Sequence, residues 1–168
     1  MFTLKPEQTT CSTESHNCCT PAPKDKAVCP SCGISAKEVL SKTVDALLTP
    51  AAKAKLSDTK GFHFCKTPTC SVVYFKENIL LTQEDLDVIV GLKEGASPRT
   101  LCYCFNITEE MVEEEIAATG TSKAKTVIKE KMQSIGCACE IKNPSGGCCL
   151  ADVGKAIKEV MKMTTSQV

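Results

Sequence analysis

Cysteine spacing limits what this chain can fold into more tightly than any other feature. Thirteen cysteines occur in 168 residues, roughly the density at which small disulfide scaffolds arise. Here the number is odd, the Met1–Thr10 stretch is polar with no apolar run of signal-peptide length, and the spacings are short. These features point instead to thiolates kept for metals in a reducing, cytoplasmic compartment. Six of the cysteines fall between Cys102 and Cys149, as Cys102-Tyr103-Cys104, Gly136-Cys137-Ala138-Cys139 and Gly146-Gly147-Cys148-Cys149. Two helix-like segments lie between those ends and a third follows. Thiolates gathered from the two ends of a helical hairpin match what a [2Fe-2S] cluster needs, two per iron.

Charge excludes several function classes. Twenty basic and twenty acidic residues cancel, so no basic field attracts nucleic acid and no polybasic run marks a membrane surface. The longest apolar runs fall far short of the roughly 20 residues that span a bilayer. Aromatic residues make up only 4% and Trp is absent, which argues against one large core. The expectation is α+β: a small, zinc-ribbon-like β-rich domain followed by a three-helix cluster domain, each stapled by metal.

Residues 1–27 read as a disordered tail rich in Thr, Ser, Pro, Glu and Lys. It carries Cys11, His16, Cys18 and Cys19, either incidental or a mobile arm for soft ions such as Cu(I) or Hg(II). The β-rich domain is expected over 28–95. Cys29-Pro30-Ser31-Cys32-Gly33 is a CxxC knuckle, with Pro and Gly placed for the tight turn that aims two sulfurs at one ion. Ile34 to Leu48 is ambiguous between strand and helix, and Pro50 starts a short helix. A second knuckle, Cys65-x4-Cys70, runs directly into the strand Val72-Val73-Tyr74-Phe75. Glu77-Asn78 then turns the chain into Ile79-Leu80-Leu81. Cys29, Cys32, Cys65 and Cys70 offer closed tetrahedral coordination to a structural Zn2+. His63 reads as a strand-surface histidine rather than a replacement ligand. A thioredoxin-like use of the CxxC would need a βαβ context that the flanks lack. Thr82 to Leu92 alternates Leu86, Val88 and Val90 and predicts a closing strand.

The cluster domain is expected over 96–168, after the Gly95-Ala96-Ser97-Pro98 linker. Thr108 caps a helix with Glu109 and Glu110 in its first turn, Val112, Ile116 and Ala117 inward, and Gly120 as its stop. A second helix starts at Thr121 or Ser122 and buries Val127, Ile128 and Met132. A third buries Leu150, Val153, Ile157, Val160 and Met161, and frays from Met163. Glu113-Glu114-Glu115 is read as a solvated helix face.

The order Cys-x-Cys, helical hairpin, Cys-bearing loop and helix resembles the bacterioferritin-associated ferredoxin type of [2Fe-2S] domain. Its longer closing loop, together with both upstream knuckles, looks like the N-terminal domain of CopZ-type copper chaperones over about residues 28–160. The resemblance implies one zinc ion and one [2Fe-2S] cluster, with Cys102 and Cys104 carried over directly as cluster ligands. The other two come from Cys137, Cys139, Cys148 and Cys149. Cys149, four residues before Val153 where the third helix begins, is taken with Cys139, and Cys137 and Cys148 stay open as substitutes. A CopZ chaperone also carries a copper module with an MxCxxC loop, which this sequence lacks: its one CxxC is Cys29 to Cys32.

Three functions follow as expectations. The first is a one-electron carrier or redox sensor in metal handling, with a metal-transport ATPase, a copper carrier or a reductase as partner. The second is a thiol chaperone or buffer with Cu(I) as cargo, and the third a partner-docking module with structural metals. No Ser-His-acid or Cys-His arrangement is legible, so an enzyme is the least supported class.

Overall fold

The structure, a computed structural model, describes residues 26–165. The metal-capturing arm with Cys11, His16, Cys18 and Cys19 lies outside the described residues.

Strands β1 (Lys26–Val28) and β2 (Ser35–Glu38) pair antiparallel around the first knuckle, so strand structure already includes Lys26 and Ala27. The turn closes because Gly33 takes a left-handed φ of 72° and donates its N–H to the Cys29 carbonyl at 2.9 Å. β3 (His63–Phe64), β4 (Val72–Lys76) and β5 (Ile79–Thr82) complete an antiparallel sheet in the order β1-β2-β3-β4-β5. Glu77 and Asn78 form the β4–β5 turn. The ambiguous 34–48 stretch is both things in succession, β2 and then helix α1 (Ser41–Leu47). Thr49 caps the short α2 (Pro50–Lys53), accepting the Ala52 N–H. Val44, Leu48, Ala52, Phe62, Val73, Tyr74, Leu81 and Val90 form the core between these helices and one sheet face.

The strand expected over Thr82 to Leu92 does not form. Asp85 turns back to accept the Thr82 N–H at 2.9 Å, closing a 3-10 turn over Gln83–Asp85. The Gln83 amide then holds the Val88 carbonyl at 2.7 Å and the Val90 N–H at 2.8 Å. Side chains thereby take the backbone groups that a strand ladder would have used. Leu86 alone in this segment makes an isolated β-bridge, to Leu48 at the end of α1.

Beyond it, β6 (Thr100–Cys102) and β7 (Ile107–Thr108) form a two-stranded ribbon. Helix α3 (Glu109–Thr119) is capped by Thr108 and ends at Gly120, whose φ is 77°. Val112 and Ile116 are buried, but Ala117 is exposed. Helix α4 (Ala124–Ile135) starts two residues later than Ser122, because Ser122 and Lys123 are held by Glu115. A one-turn α5 (Cys139–Lys142) and the long α6 (Leu150–Thr165) follow. α6 passes Met163 without fraying, and Met161 faces solvent. Val112, Ile116, Ile128, Val153 and Val160 pack together beneath the ribbon cysteines.

The two packed regions are fastened to each other. The Tyr74 hydroxyl donates to the Pro144 carbonyl at 2.6 Å, and Thr43 donates to the Glu140 carbonyl at 2.5 Å. Lys42 forms an ion pair with Glu140. On the other side, the Gly91 N–H donates to the Tyr103 hydroxyl at 2.8 Å. No helix among the described residues is long and apolar enough to cross a membrane.

Candidate metal centres

The sheet delivers the first set of thiols from two turns. Cys29 directly follows β1 and Cys32 sits in the same turn; Cys65 follows β3 and Cys70 precedes β4. Backbone bonds set both turns: Cys29 N–H to Ile34 O at 3.0 Å and Cys70 N–H to Thr67 O at 3.2 Å. The four Sγ atoms lie within 4.8 Å of one another, with Cys29, Cys65 and Cys70 buried and Cys32 half-buried. Among the described residues this is the one group of ligating side chains compact enough for a single ion. Four soft donors without an oxygen in the set fit zinc coordinated tetrahedrally.

The thiols press on one another electrostatically. The Thr67 hydroxyl, 3.3 Å from Cys32 Sγ, is the main influence drawing that thiol down to about 6. Burial pushes Cys65 up to about 11. Thiols this close cannot all ionise without a cation among them, and that requirement is itself the mark of a cation site. His63 is not part of the set. Its ring stacks on Phe75 at 5.5 Å, and its buried Nε2 has no hydrogen-bond partner among the described residues.

The second set comes from the ribbon and from the ends of the helical segments. Cys102 closes β6 and Cys104 lies in the β6–β7 turn, which Asn106 rounds with a φ of 53°. Cys139 opens α5, and Cys149 directly precedes α6, its carbonyl accepting the Val153 N–H at 2.9 Å. Cys104 and Cys139 sulfurs lie 3.5 Å apart. Cys149 hydrogen-bonds to both Cys102 and Cys139, lowering Cys102 to about 7 and Cys139 to about 6 while its own thiol is held far above the ordinary range. Burial raises Cys104 to about 11. Backbone N–H groups also point at sulfur: Ala138 donates to Cys104 Sγ at 3.3 Å, and the N–H groups of Cys104 and Phe105 lower Cys102. Such donors stabilise thiolates that carry cluster charge.

The structure thus brings Cys102, Cys104, Cys139 and Cys149 together. Cys137 is disulfide-bonded, and Cys148 is a half-buried free thiol. Sequence reasoning missed two residues around the first set. Thr67 lies inside the second knuckle, and its hydroxyl was the available signal. Lys93 is buried, and nothing in its local sequence marks it. The Glu113-Glu114-Glu115 face is only partly solvated, since Glu115 accepts from Ser122 Oγ at 2.6 Å.

Comparison with known proteins agrees with the first of these sites. Residues 26–87 match the family zf_CopZ, described as a zinc binding domain. The copper chaperone CopZ of Archaeoglobus fulgidus is 36% identical over 122 residues, 72% of this chain. The chain spans 57% of that relative's length. The X-ray structure of the Archaeoglobus fulgidus CopZ N-terminal domain superposes with a TM-score of 0.64 at 32% identity, covering 77% of this chain and 96% of that one.

Proposed function

From the premise that this chain belongs to the family of CopZ N-terminal domains, we propose that it is a cytoplasmic metal-handling protein of the copper-chaperone type with two resident metal groups. Cys29, Cys32, Cys65 and Cys70 hold Zn2+ in the unit over 28–95, where the closed four-thiolate set gives the ion a structural role. Cys102, Cys104, Cys139 and Cys149 hold a [2Fe-2S] cluster in the unit over 96–168. The observation that carries this reading is the convergence of the second set at the foot of α6, with backbone N–H groups aimed at its sulfurs.

When bound, the cluster supplies one-electron chemistry, which suits reduction of Cu(II) to the Cu(I) that soft thiolates prefer. The chain's own residues prepare the site. The ribbon turn presents Cys102 and Cys104, the start of α6 favours negative charge at Cys149, and packing around Val112, Ile128 and Val153 keeps water from the sulfurs. Delivery of copper to a transport ATPase, or electron exchange with a reductase, belongs to this reading. Cys148 favours a second one: a free thiol beside the set could take a soft ion as cargo without any cluster.

Anaerobic purification followed by metal and sulfide analysis, with EPR before and after dithionite, tests the proposal. The expected result is about two iron, two sulfide and one zinc per chain, with a rhombic S = 1/2 signal on reduction. Zinc without acid-labile sulfide would overturn the cluster and leave the thiol-cargo reading in its place.

A further inference from the structure

Lys93 is 8% exposed, and its ammonium donates three hydrogen bonds, all to backbone carbonyls around the second knuckle. The acceptors are Cys65 O at 2.8 Å, Thr67 O at 2.9 Å and Val72 O at 2.7 Å. An ammonium has three N–H donors and no acceptor capacity, so these three carbonyls match it completely. Among the described residues, no carboxylate is one of its partners. A buried cation satisfied only by neutral carbonyls is costly unless negative charge lies close by. The thiols whose loop it grips supply such charge, since four thiolates exceed the charge of one divalent ion by two.

The chain around Lys93 is shaped to present it. The Lys93 N–H bonds to Val90 O at 2.9 Å, the Glu94 N–H to Pro68 O at 3.0 Å, and the Ala96 N–H to Lys93 O at 3.2 Å. The 90–96 turn is therefore laid against the back of the Cys65–Cys70 loop, at both the backbone and the side-chain level. We propose that Lys93 is the internal counter-cation of the four-thiol site, a positioning residue that holds the Cys65–Cys70 loop in its ligating form and offsets the excess thiolate charge. This rests on Cys29, Cys32, Cys65 and Cys70 binding one divalent ion.

The experiment compares full-length wild type, Lys93→Met and Cys65→Ser, each loaded with Zn(II) or Co(II). Wild type shows the intense thiolate-to-cobalt charge-transfer band of a tetrahedral four-sulfur site, and Cys65→Ser loses it. Lys93→Met, which keeps an unbranched stem one atom shorter and removes the charge, binds zinc about 10–100-fold more weakly by chelator competition, the range usual for partners that orient metal ligands. Its charge-transfer band moves to the red, because removing a positive charge raises the energy of the sulfur lone pairs. A role in folding alone would weaken the band without moving it.

Unchanged affinity and an unmoved band in Lys93→Met, with wild type normal, overturn the counter-cation while leaving the zinc site standing. A wild type without the band overturns both. Should Lys93→Met fail to fold, 15N-edited NMR of zinc-loaded wild type decides the matter. A Lys93 ammonium protected from exchange supports the proposal, and one exchanging as fast as surface lysines overturns it.

Discussion

Tyr74 joins the sheet to the loop between Cys139 and Cys149 through one atom. Its ring is fully buried in the sheet core, and burial holds its phenol protonated above the ordinary range, so the hydroxyl is a donor to Pro144 O. Tyr74→Phe keeps the ring and strands a buried carbonyl. It is expected to cost about 1–3 kcal/mol, read as a lower midpoint in urea unfolding of the metal-loaded protein. Neighbouring cysteines make a sharper test of the site itself. Cys149 is 2% exposed and hydrogen-bonded to both Cys102 and Cys139, whereas Cys148 is half-buried beside it. Cys149→Ser should abolish iron and sulfide retention after reconstitution, and Cys148→Ser should leave both at wild-type levels. If the two variants lose iron equally, Cys149 is not a unique ligand.

Helix α4 is capped from outside its Ncap position, with Ser122 Oγ accepting the Ala124 N–H at 3.2 Å. Its Ncap residue is Lys123, which offers no side-chain acceptor, and the Glu115 carboxylate of α3 serves instead by accepting the Lys123 N–H at 3.1 Å and the Ser122 hydroxyl. Glu115→Ala should lower stability by about 1 kcal/mol, as loss of an N-cap does, and reduce helical ellipticity on mild heating. Gly91 plays a comparable part between elements. A Cβ there would stand 2.5 Å from the Thr100 nitrogen, and the Gly91 backbone also serves Tyr103 and Arg99. Gly91→Ala should therefore destabilise by about 1–3 kcal/mol through overpacking, visible as a lower thermal midpoint. These elements mark what a sequence can tell. Both knuckles can be read because two or four residues between cysteines leave the turn little freedom, and the place of Cys149 can be read because it directly precedes a strongly amphipathic helix. Gln83, Lys93 and Tyr74 cannot be read in this way. Each acts on backbone groups, from 5 residues away for Gln83 to 70 for Tyr74, and a backbone partner leaves no trace in residue type. The alternation of Leu86, Val88 and Val90 misleads for the same reason: Gln83 takes the backbone groups that periodicity assigned to a strand.

The hydrogen bonds between the packed regions make the two cysteine sets unequal. The loop bearing Cys139 and leading to Cys149 rests on Thr43 of α1 and Tyr74 of β4, and Tyr103, between Cys102 and Cys104, is held by Gly91. All three supports belong to the part of the chain that the four-thiol zinc set staples together. The thiols of the first set, by contrast, lie with Ala36, Val72 and Phe75, and the 90–96 turn that grips their loop belongs to the same half of the chain. Order should therefore pass from the zinc set to the cluster set and only weakly in return. Cys29→Ser/Cys32→Ser, which removes the first knuckle, is expected to shorten the lifetime of the reconstituted cluster in air severalfold, followed by its visible absorbance. Cys102→Ser/Cys104→Ser should retain zinc at the wild-type ratio in metal analysis. Were the first variant to keep its cluster as long as wild type, the supports from α1 and β4 would be passive contacts, and the ribbon and α6 would suffice to hold the four thiolates in place.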